Sequence, residues 1–224
     1  MKPRCSNQRN HALTLVEVLV VVFVLAVLVV MVILYVNNEE SWPRKAWRIN
    51  CANNMKEISL SFRLWAGDHN DKFPMQVSIT DTNGGGTMEL AATGNVVATF
   101  QIMSNELGTP KILWCSADED HTDATNFTTD FNNSKISYFV SLDASSAYPQ
   151  MLLSGDDNFE IGGIPVKSGL LEISKSTSIA WTAARHKFAG NILAADGSVQ
   201  MLNNPILTNW THQNGGATNR LAIP

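Results

Sequence analysis

Apolar residues dominate the chain near its N-terminus. From Val18 to Val36 the sequence runs for 19 residues without a charged side chain. Counted from Leu13, the segment makes a helix of about 36 Å at roughly 1.5 Å per residue, longer than a hydrocarbon core of about 30 Å. A removable secretory signal has a shorter apolar region, of roughly 7 to 15 residues, followed by a small-x-small cleavage site. The pattern therefore predicts a membrane-spanning helix over residues 13–36.

A second apolar pattern, with helical spacing, follows this run. Five apolar residues recur at intervals of four, three, four and three positions, which places them on one face of a helix. They are Cys51, Met55, Ile58, Phe62 and Trp65. We expect an amphipathic helix that continues the first one over residues 37–66, with a kink or short break near Pro43, which cannot donate a backbone N–H. The polar residues from Gly67 onwards predict its end.

Residues 67–224 alternate short apolar segments with polar turns. Apolar spacing over residues 96–107 predicts a short helix that Gly108 closes. The segments that predict strands are Lys111 to Cys115, Ile136 to Leu142, Met151 to Leu153, Leu170 to Ile173 and Ser178 to Thr182. Hairpins of an antiparallel sheet connect such segments most simply. We therefore expect an α+β fold, in which a long N-terminal helix, part transmembrane and part amphipathic, packs on a C-terminal antiparallel β-sheet head.

Composition limits the number of domains and the kinds of partner. The chain has 224 residues, of which 45% are hydrophobic, and a formal net charge of −4. This length is enough for one membrane anchor and one compact domain. Without Lys2, Arg4 and Arg9 the chain would keep 13 basic residues against 20 acidic ones, a net charge of −7. Such an acidic chain is not expected to bind nucleic acid.

The basic residues before the apolar run predict its orientation. Lys2, Arg4 and Arg9 occur there without any Asp or Glu. Because positively charged flanks stay in the cytoplasm, we expect a single-pass protein of the bacterial inner membrane with a cytoplasmic N-terminus. The residues after Val36 then lie outside that membrane.

Glu17 is the unusual residue of the apolar segment. A carboxylate near the bilayer centre costs up to about 3 kcal/mol, so a nearby positive charge should compensate it. If the chain is cut between Ala12 and Leu13, the new α-amino group of Leu13 supplies that charge, one helical turn away or on a neighbouring subunit. The alternative is an uncleaved signal anchor whose Glu17 rests among the lipid headgroups.

The segment from Ala12 to Glu17, Ala-Leu-Thr-Leu-Val-Glu, resembles the N-terminal segment of type IV pilins and type II secretion pseudopilins, where Gly-Phe-Thr-Leu-x-Glu is usual. Ala12 stands in place of the usual Gly, and Leu13 in place of the usual Phe. The resemblance implies a pilin-like fold and cleavage by a prepilin peptidase, which removes a leader of residues 1–12 and methylates the Leu13 amine. It also implies that Glu17 pairs with the amine of the next subunit in a filament.

The cysteines fit an extracytoplasmic head. Cys5 belongs to the predicted leader, so Cys51 and Cys115 form an even pair in an oxidising compartment. A disulfide between them is one interpretation, and two unpaired buried thiols are the other.

A second resemblance concerns the C-terminal half. Together with the segment from Asn53 to Pro74, a histidine followed after nine residues by Asp-Gly resembles pseudopilin-like proteins of planctomycete and verrucomicrobial bacteria. Here these residues are His186, Asp196 and Gly197. Since Asp-Gly between two apolar segments favours a tight turn, the residues predict a hairpin. His186 would either pack on this hairpin and hydrogen-bond to it, or bind a ligand.

A polar loop, residues 116–134, carries several acidic side chains and neither Lys nor Arg. Asp118, Asp120 and Asp123 are candidate calcium ligands, because calcium takes about six to eight oxygen ligands and closely spaced carboxylates supply several of them. Major pseudopilins carry calcium in a C-terminal loop, which favours this interpretation; a solvated acidic loop is the alternative. Residues 155–158 form a second, weaker candidate that we expect to be a turn.

Motifs of enzymes do not occur in the sequence, which has no Gly-x-Ser-x-Gly elbow, His-Glu-x-x-His, phosphate loop or dinucleotide fingerprint. We therefore expect a structural subunit of a type II secretion pseudopilus or a type IV pilus-like filament. Its partners would be prepilin peptidase and other pilin or pseudopilin subunits. The alternative is an uncleaved, membrane-anchored extracytoplasmic domain that binds a ligand or hydrolyses a substrate, with a metal held by the acidic loop and His186.

Overall fold

The structure is a computed structural model that describes residues 14–38, 42–214 and 218–224. The chain divides into two compact units, Met1–Trp42 and Pro43–Pro224. The predicted leader, residues 1–12, lies outside the described residues, and so do both residues of the predicted cleavage site, Ala12 and Leu13.

The described part of the first unit is helix α1 (Leu15–Asn38), with 24 residues. Its segment Leu15–Val36 is long and apolar enough to cross a membrane. Every side chain from Thr14 to Val36 is exposed within the chain. A helix that is apolar on all sides requires lipid or other protein around it. The long apolar helix that the sequence predicts is therefore present.

Helix α2 (Trp42–Asp68) contains the predicted apolar stripe. Pro43 is its second residue, a position in the first turn where a missing N–H costs no hydrogen bond. The side chains of the stripe, Cys51, Met55, Ile58, Phe62 and Trp65, are at most 3% exposed. The helix ends before Asn70 and Asp71, whose φ angles of 56° and 57° are left-handed. The stripe is confirmed as the face of α2 that enters the core.

Short helices follow α2. They are α3 (Met88–Ala91), α4 (Val96–Ile102), α5 (Ser104–Leu107) and, near the C-terminus, α6 (Asn204–Asn214). The single helix predicted over residues 96–107 is divided at Met103, where ψ is 18°. Gly108 closes α5 with a φ of 67°, as the sequence predicts, because glycine adopts this angle without steric cost.

The predicted strand from Lys111 to Cys115 is wrong. The chain forms a 3-10 helix at Pro110–Leu113 instead. Thr109 caps this turn, since its hydroxyl accepts a hydrogen bond from the Lys111 N–H at 3.4 Å. Pro110 then supplies the φ angle that a first helical position needs. The Thr-Pro pair therefore overrides the apolar content of the segment.

The head is built on two antiparallel sheets. Its strands are β1 (Tyr138–Ser141), β2 (Leu152–Asp156), β3 (Phe159–Ile161), β4 (Ile164–Pro165), β5 (Gly169–Ser174), β6 (Ile179–Trp181), β7 (Ala189–Ala194), β8 (Val199–Asn203) and β9 (Thr218–Ile223). The larger sheet has six strands in the order β5-β9-β1-β2-β7-β8, and the smaller has the order β4-β3-β6. The α+β class and the antiparallel sheet are confirmed.

Alternate residues of the larger sheet enter two different cores. In β1, Val140 belongs to a core that includes the stripe of α2, whereas Phe139 belongs to a core shared with α6 and β6. In β7, Leu193 and Ile192 divide in the same way. Because neighbouring side chains of a strand point to opposite faces, the sheet lies between the two cores.

Candidate functional site

Helix α1 begins with a capping box. The hydroxyl of Thr14 accepts a hydrogen bond from the Glu17 N–H at 3.3 Å. In return, Oε2 of Glu17 accepts hydrogen bonds from the Thr14 N–H at 2.7 Å and from the Thr14 hydroxyl at 2.8 Å. The two side chains thus satisfy backbone groups that a helix start leaves without partners. The negative charge of Glu17 also interacts favourably with the positive, N-terminal end of the helix dipole.

This role of Thr14 is not among the predictions made from the sequence. A Thr three residues before a Glu, immediately ahead of an apolar run, is a sequence signal for a helix N-terminus. Glu17 is the single charged residue of α1. Helix capping is therefore one reason for a glutamate at this position. A second reason depends on the molecules that surround α1.

The Asp-Gly pair forms the predicted hairpin turn. It joins β7 to β8, which are antiparallel neighbours. The Asp196 carboxylate accepts hydrogen bonds from the Ser198 N–H at 2.8 Å and the Gln150 side chain at 3.0 Å. Gly197 has a φ of 89°, and a Cβ at this position would come within 2.8 Å of the Ser59 hydroxyl. Gly197 is therefore required both by the turn and by its contact with α2.

His186 is buried, with 4% of its surface exposed. Its ring lies against Cys115, with Nε2 at 3.5 Å from Sγ, and its Nε2 is 3.9 Å from an oxygen of Asp156. Its carbonyl accepts a hydrogen bond from Arg48 of α2 at 2.7 Å. The contacts given by the described residues connect His186 to Cys115, Asp156 and Arg48. Packing on the hairpin and binding of a ligand both stay predictions for this residue.

Cys51 and Cys115 form a disulfide. Their sulfur atoms are 2.13 Å apart and their Cα atoms 5.2 Å apart. Both residues are fully buried. The bond joins the middle of α2 to the residues that follow the 3-10 helix Pro110–Leu113, so it closes a loop of the chain around the core.

A buried ion cluster surrounds Arg185, the residue before His186. The guanidinium of Arg185 contacts the carboxylate of Asp118 at 2.6 Å and forms an ion pair with Asp157. It also donates a hydrogen bond to the carbonyl of Ser137 at 2.8 Å. The Arg185 side chain is 4% exposed. Nothing in the sequence pattern signals this cluster, because its members lie far apart along the chain.

Asp118 and His121 form the outer part of the cluster. Nδ1 of His121 lies 2.8 Å from the Asp118 carboxylate, to which the hydroxyl of Ser137 also donates at 2.6 Å. Burial opposes ionisation of Asp118, but the His121 hydrogen bond, the Arg185 charge and the Ser137 hydrogen bond lower its pKa to about 2. The same hydrogen bond raises the pKa of His121 above its ordinary value. Asp118 is therefore a stable anion.

Asp156 and Asp157 form the inner part. Burial raises the pKa of Asp156 to about 7 and that of Asp157 to about 6, although Arg185 opposes both shifts. One oxygen of Asp156 accepts hydrogen bonds from the backbone and side chain of Asn191, at 2.6 and 3.0 Å. Burial and the nearby Arg48 and Arg185 lower the pKa of His186 to about 4, so this ring is neutral at pH 7.

The calcium ligands predicted from the sequence make other contacts in the structure. The Asp118 oxygens are already bonded by Arg185, Ser137 and His121, whereas Asp120 contributes its backbone N–H to Asp118 at 3.0 Å. Asp123 offers its carbonyl to Lys135 at 3.2 Å. The loop itself lacks Lys and Arg, but the fold brings Arg185 and Lys135 to it. Arg185 pairs with the Asp118 carboxylate, and Lys135 donates to the backbone of the loop at Asp123.

Two other clusters of metal-ligating residues occur in the part of the chain that the structure describes. One contains Asp118, His121 and Asp157, between which the Arg185 guanidinium already lies. The other contains Cys51, Cys115 and His186, whose sulfurs are joined as the disulfide.

The turn predicted at the second, weaker calcium candidate is wrong. Residues 155–158 were expected to be a turn, but Gly155 and Asp156 end strand β2, and all four residues are buried. Asp157 and Asn158 line an open cleft of about 310 Å³ together with Arg185.

Comparisons with known proteins agree with the N-terminal observations. The family model "Prokaryotic N-terminal methylation motif" matches residues 7–33, which include Thr14, Glu17 and most of α1. No curated protein matches the chain, and no solved structure matches it. The matched motif and the apolar helix behind it support a prepilin-like protein of the type IV pilin and type II pseudopilin kind, with one N-terminal membrane anchor.

Proposed function

We propose that this protein is a structural subunit of a type II secretion pseudopilus or a type IV pilus-like filament. The observation that carries the proposal is the methylation motif at residues 7–33, directly ahead of a helix long enough to span a membrane. In this proposal α1 is first a membrane anchor and then the packing element of the filament. Its apolar surface suits both environments, since lipid tails and apolar side chains are equally compatible with it.

Processing is the first step of the proposed function. A prepilin peptidase cuts between Ala12 and Leu13, and the Leu13 amine is methylated. The basic residues before the cut keep that end in the cytoplasm, so the unit Pro43–Pro224 lies outside the inner membrane.

Glu17 then sets the axial position of each subunit. The Leu13 amine of one subunit pairs with Glu17 of its neighbour, which neutralises a carboxylate that would otherwise lie in apolar surroundings. The capping box supports this role, but it is also a separate explanation for Glu17. It fixes the Glu17 side chain at the start of α1, where an incoming amine meets it, yet it is itself one reason for a Glu at this position.

The head is proposed to be non-catalytic. In the alternative, an anchored hydrolytic domain, the acidic loop and His186 would hold a metal. Among the described residues, the cluster that includes this loop contains Asp118, His121 and Asp157. Arg185 is bonded to both carboxylates, and a guanidinium at that position repels a metal cation. This contact favours the structural role over the hydrolytic one.

The experiment that tests the proposal is the mass and N-terminal sequence of the protein isolated from its native membrane. We expect a chain that begins at N-methylated Leu13. A chain that still begins at Met1 would contradict the proposal and leave an uncleaved, anchored domain.

Two substitutions separate the charge of Glu17 from its capping role. Glu17→Gln keeps a side chain that can complete the capping box but removes the charge, whereas Glu17→Ala removes both. We expect both variants to insert into the membrane and neither to enter filaments, as measured by cross-linking between subunits. Val16→Ala, an exposed apolar change one residue away, is the control and should assemble. Assembly of Glu17→Gln at the wild-type level would refute the charge pairing.

A further inference from the structure

The disulfide of the head lies beside two further groups that bind metals in other proteins. His186 places Nε2 at 3.5 Å from Sγ of Cys115, and the Asp156 carboxylate lies 3.9 Å from the same nitrogen. The ligand atoms of Cys51, Cys115 and His186 all lie within 4.8 Å of one another. Each of these residues is at most 4% exposed. Four potential ligands therefore converge in the core from four separate parts of the chain.

The distances suit a tetrahedral zinc site. Zinc bonds to sulfur at about 2.3 Å and to nitrogen at about 2.0 Å. At a tetrahedral angle these bonds place the sulfur and the nitrogen about 3.6 Å apart. His186 and Cys115 already have this separation, at 3.5 Å. The Asp156 oxygen would have to approach Nε2 by about 0.6 Å to reach the corresponding oxygen-to-nitrogen distance. It lies outside the set of ligand atoms that are within 4.8 Å of one another, so it would have to move farther towards the sulfurs. The remaining change is the opening of the sulfur-sulfur bond.

We infer that the Cys51–Cys115 disulfide and a zinc site are alternative states of the same four side chains. In the reduced protein, Cys51, Cys115, His186 and Asp156 bind one Zn²⁺. In the oxidised protein the two sulfurs bind each other, and the metal is released.

Charge balance supports this assignment. Two thiolates and the Asp156 carboxylate exceed the charge of Zn²⁺ by one negative charge. Arg48 lies beside the site, since its guanidinium donates to the His186 carbonyl at 2.7 Å, and it offsets that charge. Zn²⁺, its four ligands and Arg48 together therefore carry no net charge.

Hydrogen bonds already hold the ligands in place, as they do around metal ligands in general. The Cys115 N–H donates to the Ser137 hydroxyl at 3.0 Å, and Asn191 donates twice to one oxygen of Asp156. The other oxygen of Asp156 is buried without a hydrogen-bond partner among the described residues. A buried carboxylate oxygen in that state is costly. The oxygen 3.9 Å from His186 is Oδ2, to which Asn191 donates, so a metal ion would satisfy the unpartnered Oδ1 once the carboxylate turns it towards the site.

The exchange between the two states balances with a dithiol as reductant. The dithiol forms its own disulfide and gives two electrons and two protons to the sulfurs of Cys51 and Cys115. Binding of Zn²⁺ then displaces both protons into water. In the reverse direction a disulfide oxidant accepts the electrons, takes up two protons and becomes a dithiol, and Zn²⁺ leaves.

The test uses the full chain in detergent, with Cys5→Ser so that just the two head cysteines are present. Half is kept oxidised, and half is reduced with a phosphine, which becomes a phosphine oxide. We expect the reduced form to bind one Zn²⁺ per chain in competition with a chromophoric chelator, and the oxidised form to bind none. Co²⁺ should give thiolate charge-transfer bands and the visible bands of a tetrahedral site. An equal metal content in both forms would overturn the inference.

Variants distinguish the proposed site from binding by thiols alone. His186→Ala should weaken Zn²⁺ binding by at least about 10- to 100-fold, the range seen when even an outer-shell partner is lost. His69→Ala, whose ring stacks on Trp65, is the matched control and should bind normally. Circular dichroism of the oxidised variants checks that each is folded.

Asp156→Asn provides a second route if His186→Ala does not fold. It keeps the shape of the side chain but is a poorer ligand, and we expect about 10-fold weaker binding. Affinities of both folded variants equal to that of His69→Ala would refute the site. Undiminished binding in concentrated urea would also refute it, because an unfolded chain cannot bring the four ligands together.

Discussion

Helix α1 has a carboxylate in an apolar segment, and the head has carboxylates that are buried. The partners of these carboxylates differ between the two regions. In the head, Asp118 and Asp157 contact the guanidinium of Arg185, which comes from a distant part of the same chain. In α1, the Glu17 carboxylate is held by Thr14, its neighbour in the same helical turn. Thr14 supplies hydrogen bonds but no positive charge.

The difference separates a folding role from an assembly role. Charges that are paired inside one chain contribute to the stability of that chain, and removing one partner is costly. A carboxylate that has hydrogen bonds but no cation in its own helix can still gain free energy from a cation on another molecule. The contrast predicts that changes in the ion cluster reduce the stability of the head, whereas changes at Glu17 alter assembly.

The largest effect on stability is expected from Arg185→Ala. Loss of the guanidinium leaves Asp118 and Asp157 buried without their cation, which should lower the free energy of unfolding by about 3 to 5 kcal/mol. Urea denaturation of the unit Pro43–Pro224, followed by tryptophan fluorescence, measures this change.

Arg185→Lys is the matched control for this prediction. It keeps the charge but not the planar fork that reaches two carboxylates, so its loss should be smaller. If Arg185→Ala is as stable as the wild type, the cluster has no folding role and the contrast with α1 fails.

Much of the fold follows from local sequence signals. Helix α1, the stripe of α2 and the turn at Gly197 each depend on residues close together in the chain. Apolar run length, helical spacing and the Asp-Gly pair are therefore sufficient to predict them. The cap at Thr14 depends on its spacing to Glu17 and is equally local.

The site in the head could not be predicted in the same way. The ion pair between Arg185 and Asp118 joins residues that are far apart in sequence, and no spacing rule links them. The acidic loop suggested calcium because the loop itself has no cation, but folding supplies Arg185. The resemblance singles out His186. Its contacts with Cys115 and Asp156 are given by the fold alone.

A smaller effect concerns the pH dependence of the head. Burial raises the pKa of Asp156 from 3.8 to about 7, so the folded protein binds this proton more tightly than the unfolded chain does. The contribution of Asp156 to stability therefore falls as the pH rises from about 4 to about 7. Relative to the wild type, Asp156→Asn should gain about 3 kcal/mol across this range, measured as urea midpoints at several pH values.

Asp118→Asn gives the opposite sign and sharpens the test. The pKa of Asp118 is lowered to about 2, so its stabilising contribution is present above its ordinary value of 3.8 and is lost as the pH falls towards 2. Asp118→Asn should therefore be less stable than the wild type at neutral pH. If the stability of both variants and of the wild type changes with pH in the same way, the prediction fails. The Asp118 and Asp156 carboxylates would then not differ in their environments.

The smallest effect is expected at the start of α1, where Thr14→Val removes the hydroxyl but keeps the shape of the side chain. The hydrogen bond from the Glu17 N–H is lost, which should destabilise the first turn by about 1 kcal/mol. Amide hydrogen exchange of the first turn in detergent micelles should then be about fivefold faster, while Thr14→Ser retains the wild-type rate. Because Thr14→Val leaves the Glu17 charge in place, we expect this variant to assemble, unlike Glu17→Gln. If Thr14→Val fails to assemble and Glu17→Gln succeeds, the cap rather than the charge is what α1 requires.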